Sequence, residues 1–146
     1  MRELPRQLTV DQLEELFEGR TALVERLAEI EDPLGNADEV VRTLTDDEKL
    51  AALDAHPAIG QREGLSARSS AEQSSDDDPA VLGELAELNR RYEERFGFRF
   101  VVFVNRRPKA EIVPILRERL ERNRDDELDT ALAELVAIAR DRWRRG

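Results

Sequence analysis

The sequence has 146 residues, the size of one ordinary domain and enough to bury a single core. Hydrophobic residues make up 40% of it and charged residues 38%, with a formal net charge of −10, so we expect a charge-rich folded protein that does not bind nucleic acid nonspecifically. The absence of cysteine excludes disulfides, thiolate nucleophiles and cysteine-ligated metals, and a single histidine excludes a multi-histidine metal site within one chain.

The N-terminal segment predicts two short helices. MRELPRQLTV lacks the continuous apolar core of a signal peptide, and the longest apolar run, around FVVFV, is far below the roughly 20 residues needed to cross a bilayer. We therefore expect a cytoplasmic protein without membrane contact. Thr9 and Gln12 have the spacing of a capping box, which begins the first helix. Apolar side chains at helical spacing form two stripes, one of Leu13, Leu16 and Phe17 and a second of Leu23, Leu27 and Ile30.

Two further helices precede the only histidine. A short helix is expected at about 38–44. Thr45 and Glu48 form a second capping box, which begins the next helix. That helix should stop at the dipeptide His56-Pro57, because proline disfavours the α conformation for the residue before it.

A long helix follows the polar break SSDDDP. It begins at Pro79, keeps apolar residues at helical spacing, and ends at Gly97, a residue suited to a helix C-terminus. The next stretch, FRFVVFVN, is the one segment whose β-branched and aromatic residues favour a strand.

The C-terminal part of the chain predicts two more helices. PKAEIVPILRERLERN has helical spacing, with Pro114 tolerated only in the first turn or as a kink. The last helix has an apolar stripe from Leu128 to Trp143. The predicted fold is an all-α, single-domain multi-helix bundle over 1–146, with one short extended stretch near 98–104.

His56 and Glu72 each have a chemical and a structural interpretation. Histidine has an ordinary pKa near 6.5 and can transfer protons near neutral pH, but at a helix C-terminus it also complements the helix dipole. Glu72 lies three residues after Ser69, the spacing of a capping box, so its carboxylate could cap a helix, bind a substrate or His56, or do both.

Two further groups of residues are ambiguous. The segment FGFRFVVFVN holds four of the five phenylalanines, which are either core or the wall of a pocket whose backbone N–H groups face a ligand. Arg140 and Arg142 flank Asp141 near the C-terminus. Either arginine could form a surface salt bridge, or its guanidinium could bind a carboxylate ligand.

The order of these motifs is more specific than any one of them. HPAIG, SSAEQ, LNRRYEERFGFRFVVFV, RERLERN and ELDTALAELVAIARDRW occur in that order between about Leu50 and Trp143. In this respect the sequence resembles the 2-oxo-4-hydroxy-4-carboxy-5-ureidoimidazoline (OHCU) decarboxylase family. The resemblance implies a mostly helical homodimer that needs no cofactor or metal and decarboxylates the anionic substrate OHCU to (S)-allantoin in uric acid degradation.

The resemblance also implies roles for individual residues. His56 and Glu72 match the family's catalytic histidine and glutamate. The positions that match substrate-binding residues are Pro57, Ser69, Gln73, Phe98, Phe100, Val101 and Arg142, with Arg140 in place of Arg142 if the last helix is misaligned by two residues.

Two other functions remain open from the sequence. The chain could be a non-catalytic helical scaffold or ligand-binding module of the same fold, or a lyase or hydrolase for a related ureido compound, since SSDDDP replaces the Ala-Gly-Leu common in the family. In an enzyme, we expect His56, Glu72 and Arg142 to converge on one pocket. In a scaffold, Arg142 would face solvent and the FGF segment would be closed core.

Overall fold

The computed structural model describes residues 3–59 and 78–146. Within these ranges the backbone forms α-helices and no β-strand, which confirms the predicted all-α class. The helices are α1 (Val10–Phe17), α2 (Ala22–Leu27), α3 (Ala37–Thr43), α4 (Asp46–Asp54), α5 (Pro79–Phe96), α6 (Lys109–Leu120) and α7 (Arg124–Arg145).

Side-chain caps fix where the N-terminal helices begin. The Thr9 hydroxyl accepts from the N–H of Gln12, and the Gln12 side chain accepts in return from the N–H of Thr9. Thr45 and Glu48 form the same reciprocal pair at α4. Each pair satisfies two backbone donors that a helix start leaves without an internal partner. The capping boxes predicted at Thr9 and Thr45 are therefore confirmed.

The later helices follow their proline and glycine signals with one exception. Pro79 is the first residue of α5, and Gly97 ends the helix in the left-handed conformation at φ 79°. Pro114 lies in the second turn of α6, beyond the first-turn position where a missing N–H costs nothing. The helix continues through it to Leu120.

The segment 99–104 has neither helical nor strand structure, so its strand propensity is not realised. Side chains from three helices bind its backbone instead. Asp54 of α4 accepts from the N–H of Arg99 (3.1 Å), Arg119 of α6 donates to the carbonyl of Val101 (2.8 Å), and Glu134 of α7 accepts from the N–H of Phe103 (3.3 Å). The segment thus satisfies backbone groups without a partner strand.

The long C-terminal helix α7 organises the bundle. It packs against α1, α3 and α4, while α5 packs mainly on α6. Its buried face follows the predicted stripe, with Trp143 only partly buried at the end. In the ranges that the structure describes, no helix is both long and apolar enough to cross a membrane.

Candidate active site

His56 follows the C-terminus of α4, where its N–H donates to the carbonyl of Leu53 (3.1 Å). The residue is partly exposed, but its ring Nδ1 has no contact with solvent and no hydrogen-bond partner among residues 3–59 and 78–146. A buried polar nitrogen without a partner is costly and uncommon in a folded protein. The helix stop predicted from His56-Pro57 is confirmed, and the ring nitrogen needs a further explanation.

The surroundings of His56 keep its imidazole neutral. Burial lowers its pKa from 6.5 to about 4, and the positive charges of Arg142 and then Arg99 act in the same direction. The Glu18 carboxylate opposes them and raises the pKa. At neutral pH the ring is therefore an uncharged base with a guanidinium nearby.

Arg142 is buried inside the bundle rather than exposed at its end. Only 1% of the residue is accessible to solvent. Its Nη1 donates to the carbonyl oxygen of Leu16 at 2.9 Å, and its Nη2 lies 3.0 Å from a carboxylate oxygen of Glu18. Arg142 therefore does not face solvent, contrary to the scaffold interpretation, while its convergence with His56 and Glu72 on one pocket stays a prediction.

The neighbouring arginine points elsewhere. The Arg140 Nε donates to the carbonyl of Leu34 (2.8 Å), and its Nη2 pairs with Asp38 of α3 (3.2 Å). Arg140 therefore joins α7 to α3, whereas Arg142 reaches the end of α1 and acts electrostatically on His56.

Arg99 ties the segment 99–104 to the end of α4. Its Nη1 donates to the carbonyl oxygen of His56 at 2.8 Å and lies 3.4 Å from that of Asp54. The backbone N–H of the same arginine donates to the Asp54 carboxylate. Arg99 thus holds the backbone of His56 in place through hydrogen bonds to carbonyl oxygens at the end of α4.

The aromatic segment is packed as core. Phe98, Phe100 and Val101 are each 1% exposed, and Pro57 is partly buried. The Tyr92 ring meets both phenylalanines edge-on, with centroid distances of 5.8 and 5.2 Å. Of the two interpretations of this segment, the side-chain packing favours core, and a role in substrate binding stays a prediction.

A buried polar cluster of Tyr92, Arg119 and Glu127 lies against this aromatic core. The Tyr92 hydroxyl donates to the fully buried Glu127 carboxylate, and the Arg119 Nε lies 2.5 Å from the same oxygen. The Arg119 guanidinium also covers the Phe100 ring, with 4.6 Å between its central carbon and the ring centroid. One arginine thus holds both the backbone of Val101 and the ring of Phe100.

The remaining predicted site residues, Ser69, Glu72 and Gln73, lie outside the described residues, so their convergence with His56 and Arg142 stays a prediction.

Glu18 and Arg99 were missed by the sequence analysis. Glu18 stands in no recognised motif, Arg99 lies within FGFRFVVFV but was not singled out there, and only tertiary contacts bring the two residues to His56.

Two other features do not involve the predicted residues. A groove of about 570 Å³ between α2 and α3 is lined by side chains such as Arg26, Ile30 and Val40. Among the residues that the structure describes, no three His, Asp or Glu side chains are placed to hold a metal ion.

Together, these features define a class: an all-α protein in which a neutral histidine at a helix end lies near a buried arginine. The comparison with known proteins is more specific. The OHCU decarboxylase family model matches residues 2–144. The chain belongs to the OHCU decarboxylase family.

Relatives and solved structures agree with this family. The chain is 31% identical over 141 residues to the 2-oxo-4-hydroxy-4-carboxy-5-ureidoimidazoline decarboxylase of Haloferax volcanii, covering 89% of this chain and 83% of that protein. It resembles a crystal structure of OHCU decarboxylase in the presence of (S)-allantoin, with a TM-score of 0.70, 26% identity, and coverage of 90% of this chain and 94% of that one.

Other relatives are much longer. The uric acid degradation bifunctional protein of Bacillus sp. (strain TB-90) is 35% identical over 109 residues, which is 69% of this chain. That of Bacillus subtilis, PucL, is 30% identical over 155 aligned residues, or 96% of this chain. The chain spans only 21% and 30% of the length of these two proteins.

Proposed function

We propose that this protein is a cofactor-free carboxy-lyase that decarboxylates OHCU to (S)-allantoin in uric acid degradation. The observation that supports this most directly is His56, which is held uncharged near the buried guanidinium of Arg142. Strongly shifted pKa values with a specific charge partner are typical of functional sites. Membership of the family supplies the reaction and the substrate.

The substrate supplies its own electron sink. As its name states, OHCU has a hydroxyl and a carboxylate on the same ring carbon. When the carbon–carboxylate bond breaks, carbon dioxide leaves and the electron pair moves into the imidazoline ring. A proton must then reach the neighbouring ring carbon, the hydroxyl proton must leave as the ring carbonyl forms, and the ring nitrogen that received the electron pair must take up one further proton from solvent. The protein has to orient the anion and move protons.

The described residues suit these two tasks. Arg142 provides a fixed cation in a chain of net charge −10, which would otherwise repel an anionic substrate. A neutral His56 can accept the hydroxyl proton and return it to the ring carbon on one face, which is what a single product enantiomer requires. Glu72 is proposed to bind the ureido group or to fix the substrate relative to His56. Backbone N–H groups near Phe100 are the candidate donors to the developing negative charge.

A coupled assay tests this proposal. Urate oxidase and hydroxyisourate hydrolase generate the unstable substrate in situ, and circular dichroism follows the optical activity of the allantoin formed. We expect rapid formation of one enantiomer by the wild type. His56→Asn should lower the rate by about 10²–10⁴-fold while the helical circular dichroism is unchanged.

Arg142→Gln and Arg140→Gln form a matched pair for the same assay. They are two residues apart in α7, and only Arg142 acts on His56. We expect the Arg142 variant to lose most activity and the Arg140 variant to keep it. Slow formation of racemic allantoin by folded wild-type protein would argue against the decarboxylase.

A second function is favoured by one observation. Because Phe98 and Phe100 are packed against Tyr92 as core, the chain could be a non-catalytic ligand-binding module of this fold. Binding of (S)-allantoin measured by calorimetry, without turnover of OHCU, would indicate that function. Turnover of another carboxylated ureido compound in place of OHCU would indicate a related lyase or hydrolase.

We further propose that the protein is a cytoplasmic homodimer, as the family resemblance implies. Light scattering coupled to size exclusion tests the assembly directly, because the chain mass is 16.7 kDa and a dimer has twice that value. A single species at the monomer mass over a wide concentration range would contradict it.

A further inference from the structure

We propose that Glu18 is a positioning residue, whose carboxylate holds the Arg142 guanidinium at the junction of α1, α4 and α7 where His56 lies. This inference rests on the proposed function for its catalytic consequence. The contacts themselves do not depend on it.

The backbone at Glu18 is the first observation. Glu18 follows α1 in the left-handed conformation, at φ 67°. Residues with a Cβ adopt this conformation at an energetic cost, so the position normally favours glycine. Here the glycine comes one residue later, at Gly19. A strained backbone conformation at a helix end is a reason to look for the contacts that hold the residue there.

The side chain makes that contact with Arg142. The two are 3.0 Å apart, and their side chains are 12% and 1% exposed. The carbonyl of Leu16, in the last turn of α1, accepts a second hydrogen bond from the same guanidinium at 2.9 Å. The end of α1 therefore binds Arg142 through both a backbone carbonyl and a carboxylate.

The same end of α1 lies against the end of α4. A Cβ built on Gly19 would come within 2.9 Å of the Ala55 Cβ, a distance that real side chains do not adopt. The missing side chain of Gly19 thus lets α1 approach the residue that immediately precedes His56. Since α7 also packs on both helices, Glu18, Arg142 and His56 share one junction.

The charges at this junction explain what Glu18 adds. Among residues 3–59 and 78–146, three ionisable groups act on His56: Arg142 from α7, Glu18 from the end of α1, and Arg99 from the segment 99–104. Two are cations and Glu18 is the anion that offsets them. Replacing Glu18 by a neutral residue leaves the positive charge of Arg142 in place but removes one of the groups that fix its direction.

Glu18→Gln is the variant that isolates this role, since glutamine keeps the size of the side chain and loses its charge. Because Arg142 still attracts the anionic substrate, we expect KM to stay within about threefold of the wild type. A misplaced guanidinium should lower kcat, by about 10- to 100-fold. Glu18→Asp, which retains the charge on a shorter side chain, should recover part of the rate.

The matched control is Glu14→Gln. Glu14 belongs to the same helix and pairs with Arg20 at the surface (3.2 Å), so the variant also breaks an ion pair of α1. Its kcat should equal that of the wild type. The test of mechanism is the double variant Glu18→Gln/Arg142→Gln. If Glu18 acts through Arg142, it should be no more than about twofold less active than Arg142→Gln alone.

Two activity results would overturn the inference: wild-type kcat in folded Glu18→Gln, or full additivity of the two losses. If the wild type does not act on OHCU, the proposed function fails and the inference is tested by NMR. His56 is the only histidine, so its imidazole signals are identified without assignment. They should shift at pH 7 in Glu18→Gln and not in Glu14→Gln. Unchanged signals in Glu18→Gln would refute the positioning role.

Discussion

The pKa of His56 gives a prediction that needs no substrate. In the folded protein this pKa is about 4, against 6.5 for an ordinary histidine, with burial as the main cause and Arg142 second. A titration of the imidazole signal by NMR should therefore show a neutral ring from pH 8 down to at least pH 5. A midpoint near 6.5 would refute the description of His56 as enclosed and near a cation.

The difference between the pKa of His56 in the folded and unfolded protein makes the free energy of unfolding fall as the pH is lowered. The unfolded chain binds a proton at His56 below about pH 6.5, and the folded protein does not until about pH 4. Stability is thus fully present above pH 6.5 and is lost as the pH falls toward 4. The whole difference amounts to roughly 3 kcal/mol, at about 1.4 kcal/mol per pKa unit. Between pH 7.5 and 5.5 the loss from this one group is about 1.4 kcal/mol.

The perturbation that isolates this contribution is His56→Asn. Urea unfolding of the wild type and the variant at pH 7.5 and 5.5 gives four free energies of unfolding. The carboxylates that also titrate toward low pH are common to both proteins and cancel in the comparison. We expect the variant to lose about 1.4 kcal/mol less than the wild type over this interval. Equal losses in the two proteins would show that His56 has the same pKa folded and unfolded.

Three further predictions concern the scaffold, each measured by urea unfolding at pH 7.5. Glu127→Ala removes the partner of a buried arginine and should lower the free energy of unfolding by about 3–5 kcal/mol. Gly83→Ala, in the interior of α5, should raise it by about 0.5–1 kcal/mol, whereas Gly97→Ala, at φ 79°, should lower it by about 1–2 kcal/mol. An added Cβ meets no atom within 4 Å at either glycine, so equal effects would contradict the conformational explanation. Thr45→Ala should cost about 0.5–2 kcal/mol through loss of the α4 cap, and no loss would contradict that role.

The helices could be predicted because their start and stop signals are local. Thr9 and Thr45 cap their helices through side chains three residues away, and Gly97 ends α5 by its own conformational freedom. Such interactions are complete within one turn of the chain. The sequence therefore contains everything that decides them.

The segment 99–104 shows the limit of local propensity. Its aromatic and β-branched residues favour a strand, but a strand needs a neighbour to bind its backbone. Here Asp54, Arg119 and Glu134 bind the backbone groups, and the apolar side chains enter the core. None of these partners lies close in sequence, so periodicity and propensity could not find them.

The same limit applies to the candidate site. His56 and Arg142 were predicted from motif order, but Leu16 and Arg142, which are 126 residues apart, form a contact that no local pattern announces. Glu18 was missed for this reason, because its importance comes from its partner and not from its neighbours in the sequence. A glutamate after an amphipathic helix is otherwise an ordinary surface residue.

The combination of His56 with Arg142 has energetic costs that are expected of a functional site and that a scaffold does not need. A buried guanidinium loses its hydration and must recover it from protein partners, here Leu16 and Glu18. An apolar side chain would fill the same space without that cost. The imidazole of His56 is a second unfavourable feature. Burial and then the charge of Arg142 keep the ring neutral, and its Nδ1 is enclosed without a hydrogen-bond partner among the described residues. Costs that do not stabilise the fold are expected where binding or proton transfer requires them. This is why loss of activity in folded Arg142→Gln, with activity retained in Arg140→Gln, would separate the enzyme from the scaffold.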